Sequence, residues 1–271
     1  YDDADALIND PNVDAVYVAT PPSSHKQYVI DVARAGKPVY VEKPMGLNFA
    51  ECEEMIHACQ RAEVPLFVAY YRRVLPRFLK VKQLLDSGAI GAVRCVSVTF
   101  YQTVRQEETD PDNLPWRVLP KIAGGGRFVD LASHQLDFLD FILGPIDRVK
   151  GLSANQADHF PAEDNVSSAF AFETGVQGAG NWCFTTFEQI DRTEIVGDKG
   201  KISYATFGND PVTLTTAAAG AEQFAIDNPL HIQQPLIQTV VDELLGTGDC
   251  PSTGVSGSRT SWVMDRMLGN A

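Results

Sequence analysis

At 271 residues the chain is long enough for two domains with cores of their own. Its 35 acidic residues against 22 basic give a formal net charge of −13, which argues against a nucleic-acid binder and against anchoring to an anionic membrane. The 44% hydrophobic and 21% charged residues fit a globular protein, and no run of about 18 apolar residues offers a transmembrane helix.

The opening Tyr1-Asp2-Asp3-Ala4-Asp5-Ala6-Leu7-Ile8 is already helix-like and carries no Met or leader, so the chain reads as starting inside a domain. Three apolar, β-rich runs follow: Ala15 to Ala19, Val39-Tyr40-Val41 and Leu66 to Ala69. Between them lie two amphipathic helices. One runs from His25 to Ala35, with Ser23-Ser24 as candidate cap and Gly36 as stop; the other runs from about Asn48 to Ala62, ahead of Pro65. Strand, helix, strand, helix, strand is a pair of βαβ units, hence a parallel sheet with right-handed crossovers. Ligands collect at the carboxyl ends of such strands. The three exits here are Thr20-Pro21-Pro22, Glu42-Lys43-Pro44 and Tyr70-Tyr71-Arg72-Arg73, all polar or Pro-rich.

Beyond residue 72 the texture changes. Pro76 to Ser87 reads as a helix, and Ala92 to Gln102 alternates with period two as a half-buried strand does. A Pro-rich loop leads through Pro120 to Gly124-Gly125-Gly126 and a periodic helix, Phe128 to Leu143, stopped by Gly144-Pro145. From Asp147 to Ile226 short alternating runs predict an antiparallel sheet, with Gly197-Asp198-Lys199-Gly200 as a hairpin turn. Helical patterns return at Gln233 to Leu245 and Gly257 to Leu268.

In the helix after the triple glycine, Asp130 and His134 stand at i and i+4 and share a face. A carboxylate beside an imidazole orients it for proton transfer, although the same pair is equally at home on a helix surface. The triple glycine either lets backbone approach a ligand at a helix N-terminus or makes a tight turn before a packed helix; no G-x-G-x-x-G occurs in the chain. His25 lies at the mouth of the first helix, either facing a ligand or exposed beside a capping Ser24. Arg117, after Trp116, is either a partner for an anionic cofactor group or an ordinary loop residue. His57, His159 and His231 read as surface residues. The five cysteines, Cys52, Cys59, Cys95, Cys183 and Cys250, form no C-x-x-C pair and have no His at ligand spacing, which points to free thiols, no metal site and a cytoplasmic location.

The run Ala19 to His25, then Glu42-Lys43-Pro44, then Gly124-Gly125-Gly126 with Asp130-x-x-x-His134, and the ending Pro251-Ser252-Thr253-Gly254, Arg259-Thr260 and Trp262 to Asp265, resemble the glucose-fructose oxidoreductase / inositol dehydrogenase / MocA (Gfo/Idh/MocA) family. That resemblance implies an α/β plus α+β fold. Residues 1–72 would be an incomplete Rossmann dinucleotide-binding domain without its first strands and glycine loop, on the order of 60 residues. Residues 73–250 would be a substrate and oligomerisation domain with an open, mainly antiparallel sheet, and residues 251–271 a C-terminal helix packing back between them. It further implies NAD or NADP as cofactor, a sugar, cyclitol or related polyol as substrate, and a homo-dimer or homo-tetramer built through the sheet. The site residues it implies are Lys43, His134 and Asp130 for catalysis, with Lys43 on the reacting hydroxyl and the cofactor, His134 relaying the proton and Asp130 holding it. Thr20, Pro21, His25, Glu42, Lys43, Arg72, Trp116 and Arg117 would border the cofactor, and the Lys43–Pro44 bond would be cis. The family usually carries Asn before the Arg at the third strand exit, where this chain has Tyr71. Non-catalytic sensing of dinucleotide or sugar, and NAD-assisted glycoside cleavage, are the alternative functions of the same architecture.

Overall fold

The computed structural model describes residues 1–269. It opens with α1 (Ala4–Asn9), capped by the Asp3 carboxylate, and continues through β1 (Val16–Val18), α2 (Pro22–Arg34), β2 (Val39–Val41), α3 (Phe49–Arg61) and β3 (Leu66–Val68). The three strands form a parallel sheet in the order β1-β2-β3. Val18 pairs Val41 and Val41 pairs Val68, so all three strands end level and their exit loops share one edge. Every residue of β2 and β3 is buried, as expected for a parallel sheet covered on both faces.

Helix α2 starts earlier than the serine pair predicts. Pro22 occupies its first position, Pro21 precedes it without any side-chain cap, and Ser24 Oγ turns back to Thr20 Oγ1 (2.8 Å) and the Pro21 carbonyl (3.0 Å). A proline at the first helical position has its φ preset and no N–H to satisfy, so no serine cap is needed.

A 3₁₀ turn, Tyr71–Val74, leads into α4 (Pro76–Asp86) and β4 (Val93–Tyr101). A long loop with 3₁₀ turns at Gln106–Glu108 and Trp116–Val118 reaches α5 (Pro120–Ala123) and α6 (Arg127–Leu143). Then come β5 (Ile146–Ala154), β6 (Asn165–Phe172), β7 (Gln177–Cys183), β8 (Ile190–Gly197), β9 (Gly200–Tyr204), β10 (Val212–Thr216) and β11 (Gly220–Phe224), and finally α7 (Gln234–Leu244) and α8 (Gly254–Leu268). The second sheet has eight strands in the order β11-β10-β9-β8-β4-β7-β6-β5, with every pair antiparallel except β4 and β7. The turn between β8 and β9 falls at Asp198-Lys199, as the sequence predicts.

One face of this sheet (Val96, Val98, Phe100, Phe170, Trp182, Ile195) packs against the apolar side of α6 (Phe128, Ala132, Leu136, Leu139). The other face carries small and polar side chains, including Ser97, Ser167, Ala169, Ala179 and Asn181, around a shallow depression. Helix α8 packs on α3 and β3 of the parallel unit and on α6 and β5 of the open sheet. It is seated by glycines: a Cβ on Gly254 or Gly257 would stand 2.8 Å from Leu66 or Val68. Where α6 meets the turn after β3, Arg73 and Asp137 form an ion pair with both side chains only 1% exposed.

Among the described residues no helix is long and apolar enough to cross a membrane, and no group of three or more His, Cys, Asp and Glu side chains could hold a metal ion.

Candidate active site

Strand β2 delivers Glu42 and Lys43 to the shared edge, followed by a cis Lys43–Pro44 peptide. From the first turn of α6, Asp130 meets the lysine: Lys43 Nζ donates to Asp130 Oδ1 at 2.6 Å and to the Asp130 carbonyl at 3.0 Å. The pair is 13% and 21% exposed and opens onto a cavity of about 310 Å³, lined also by Thr20, Pro22, Glu42, Trp116 and Arg117. Arg117 stacks 4.4 Å above the Trp116 ring and brings Nε to 3.9 Å from the second Asp130 oxygen. The cavity is thus edged by two cations and two carboxylates.

The expected Asp130–His134 pair does not form. The two residues do share a face of α6, but the carboxylate goes to the Lys43 ammonium, since a charged donor outcompetes a neutral imidazole. His134 is 4% exposed, its Nδ1 is buried without a partner, and its ring is bounded by Tyr70, Tyr71 and Phe207. Burial first, then the neighbouring Arg72 and Lys43 cations, holds its pKa well below the ordinary histidine value. Aromatic packing, rather than a carboxylate, fixes this ring.

His25 is neither exposed nor at the cavity wall. It is fully buried, with Nε2 2.7 Å from the Thr20 carbonyl and Nδ1 3.1 and 3.2 Å from the Pro44 and Met45 carbonyls. It ties the first strand exit to the second, directly behind Lys43. Pro21 is exposed at the start of α2, and its neighbour Pro22 lines the cavity in its place.

Arg72 is likewise separate from the cavity. It is buried over the Phe207 ring at 4.5 Å, with Nε donating to the Thr206 carbonyl at 3.3 Å. Arg77 donates to the Gly208 and Thr206 carbonyls, and the Asp191 carboxylate accepts from the Thr206, Phe207 and Gly208 amides, so Arg72 belongs to a brace on that loop.

The triple glycine resolves in favour of packing. Gly124 has φ +84°, and a Cβ there would stand 2.7 Å from the Leu47 carbonyl oxygen. Gly126 N donates to Glu163 Oε1 at 3.1 Å, so the start of α6 is closed off by the protein itself. Burial pushes the Glu163 carboxyl above the usual range.

Sequence reasoning missed the second set of partners around Glu42. Tyr17 and Gln233 both donate to Glu42 Oε1, and Tyr40 donates to Gln233 Oε1 at 2.8 Å. Gln233 comes from just before α7, 191 positions beyond Glu42, and nothing local in the sequence ties the two.

A short parallel sheet with a lysine at a strand end thus faces a carboxylate from the helix that backs an open sheet, with the cavity between them. The chain belongs to the Gfo/Idh/MocA oxidoreductase family: residues 1–70 match the model described as the oxidoreductase family, NAD-binding Rossmann fold, and residues 78–203 match the GFO/IDH/MocA C-terminal domain. The cofactor of this class is NAD or NADP. The chain is 38% identical to Oxidoreductase P35 of Formosa agariphila over 98% of its own length and 82% of that protein's. It is 30% identical to myo-inositol 2-dehydrogenase of Thermotoga maritima, over 79% of this chain and 63% of that one. Among solved structures, the WlbA dehydrogenase from Bordetella pertussis, in complex with NADH and UDP-GlcNAcA, superposes with a TM-score of 0.80 at 26% identity, covering 99% of this chain and 81% of that one.

Proposed function

We propose that the protein carrying this chain is an NAD(P)-dependent dehydrogenase that interconverts a hydroxyl and a keto group on a sugar, cyclitol or related polyol. The observation that carries the reading is the Lys43–Asp130 pair on a cavity at the carboxyl ends of a parallel sheet. The residues present fit the nicotinamide end of a dinucleotide: Glu42 Oε2 keeps one acceptor site for a ribose hydroxyl, Thr20 offers a hydroxyl, Trp116 a flat apolar face and Arg117 a cation. The bound nicotinamide supplies the hydride acceptor or donor.

The protein's own part is positioning and proton handling. An ammonium has three donors; Asp130 takes two of those on Lys43, which leaves one for the oxygen of the reacting carbon. The family resemblance gives the proton relay to His134, which burial and the neighbouring cations keep neutral, but its ring lies behind the residues that line the cavity. Tyr70, Tyr71 and Phe207 fix the ring there. The relative named myo-inositol 2-dehydrogenase supports a polyol substrate.

The test pairs NAD⁺ and NADP⁺ with a panel of inositols, aldoses and anhydro sugars and follows nicotinamide absorbance. Reduction with at least one polyol is expected. Binding of neither dinucleotide, or no turnover with any polyol, would overturn the reading. We also propose a homo-oligomer assembled through the small, polar outer face of the eight-stranded sheet; light scattering that returned a monomer at all concentrations would refute it.

A further inference from the structure

We propose that Gln233 is a positioning residue for the Glu42 carboxylate, so that the segment before α7 fixes a group on the cavity wall at the strand ends. The inference rests on the dehydrogenase reading and adds to it a residue that no motif of the family resemblance contains.

The hydrogen bonds leave the amide one orientation. Tyr40 OH donates to Gln233 Oε1 at 2.8 Å, so Nε2 is the end turned to Glu42, and it donates to Oε1 of that carboxylate. Tyr17 OH donates to the same oxygen, and Lys43 N donates to Oε2 at 3.0 Å. The two tyrosines are register partners on β1 and β2, with rings stacked 4.7 Å apart. Adjacent strands therefore present both hydroxyls to one glutamine, and the glutamine passes the constraint to the carboxylate that lines the cavity. Both carboxylate oxygens are held from the protein side, Oε1 by two donors and Oε2 by one, which leaves one acceptor site on Oε2 for a ligand. Gln233 is itself half-buried, Tyr40 is 6% exposed, and the apolar α7 residues Leu236 and Val240 anchor the segment against Tyr40 and Phe67.

The tests are Gln233→Leu and Gln233→Glu, read by fluorescence titration with NADH and NADPH, by steady-state kinetics and by thermal melting of the ligand-free protein. A hydrogen bond to a charged group supports about a tenfold to hundredfold effect. Q233L is expected to weaken dinucleotide binding and raise its KM by about that factor, with kcat within a few-fold of wild type and an unchanged melt. Q233E supplies the discriminating signature. Its introduced carboxyl, while protonated, can donate to Glu42 as the amide does; once ionised it repels Glu42. Dinucleotide affinity in Q233E is therefore expected to be near wild type at acid pH and to fall as pH rises. The titratable groups around the site are Tyr17, Tyr40, Glu42, Cys250 and Tyr71, and the Lys43 ammonium is turned to Asp130. Burial raises the Tyr17, Tyr40 and Cys250 groups, so none of these three gives up its proton near neutrality.

Wild-type dinucleotide affinity in Q233L together with a flat pH profile in Q233E would overturn the inference and leave the dehydrogenase reading standing. Loss of binding in proportion to a collapsed melt in both variants would overturn it in favour of a structural role. A wild-type protein that binds neither NADH nor NADPH would overturn both.

Discussion

Lys43 Nζ lies 2.6 Å from Asp130 Oδ1 and 3.0 Å from the carbonyl of the same residue. One residue, 87 positions downstream, thus holds both a side-chain and a main-chain acceptor on a single ammonium. A long, flexible lysine is thereby fixed before any ligand arrives, and a third donor remains free.

Lys43→Met keeps the length of the side chain and removes its donors. Turnover in the protein carrying this chain should drop by roughly 100- to 10,000-fold, while dinucleotide binding followed by fluorescence stays within a few-fold of wild type. Turnover within tenfold of wild type would take the catalytic role away from Lys43.

Arg73 and Asp137 are both buried and joined through two guanidinium nitrogens; Arg73 also donates to the Pro251 carbonyl at 2.6 Å and to Ser256 Oγ at 2.7 Å. Removing one partner strands a buried charge. Asp137→Leu should lower stability by about 3–5 kcal/mol in urea unfolding, and adding Arg73→Leu should recover part of that loss. Additive losses in the double variant would contradict the pairing.

Burial lowers the pKa of His134 well below the ordinary histidine value and lowers that of His25 as well, where the three carbonyls around the ring work against it. Unfolded histidine takes up a proton near pH 6.5. Below that value the unfolded chain binds more protons than the folded one, so stability should fall on acidification, by up to about 1.4 kcal/mol per pH unit for each histidine. Between pH 6.5 and 5, His134→Phe should therefore gain stability relative to wild type. A difference between the two proteins that stays constant across that window would show that His134 titrates normally in the fold.

Gly36 and Gly124 both have positive φ, at +72° and +84°, but only Gly124 has backbone against it. Gly36→Ala should cost about 1–2 kcal/mol of conformational strain. Gly124→Ala should cost about 1–3 kcal/mol more, because the new methyl meets Leu47 in the segment that follows Lys43-Pro44. Differential scanning calorimetry of the two variants, with equal losses as the contrary result, separates strain from crowding.

Much of the fold is legible because it is local. The period of Val93 to Tyr101, the glycine stops at Gly36 and Gly144, and the β-rich runs at Val39 and Leu66 depend on neighbours a few positions away. The strand-end location of Lys43 follows from the same reasoning. The partners do not. The i, i+4 spacing correctly puts Asp130 and His134 on one face of α6, but spacing says nothing of competition, and the nearer ammonium takes the carboxylate. Arg72 looks like a site residue from its strand exit, yet it is stacked over Phe207, a residue far along the chain. His25 carries no local sign that three carbonyls would converge on it, and Gln233 carries none that it would reach Glu42.

Strand β4, the one member of the large sheet's parallel pair that comes early, draws both of its neighbours from far along the chain. The βαβ units can close as they are made, since each strand finds its partner across one helix. Strand β4 is synthesised before all the other strands of its sheet, but takes β7 and β8 as its neighbours. Its two edges, rather than the inward row that α6 covers, therefore wait unpaired until those later strands are present, the non-local pairing that slows folding and exposes a chain to aggregation. Pulse-labelled hydrogen exchange during refolding should find β4 amides protected together with those of β7 and β8, after those of β2 and β3. Earlier protection of β4 would mean that it first pairs with something else.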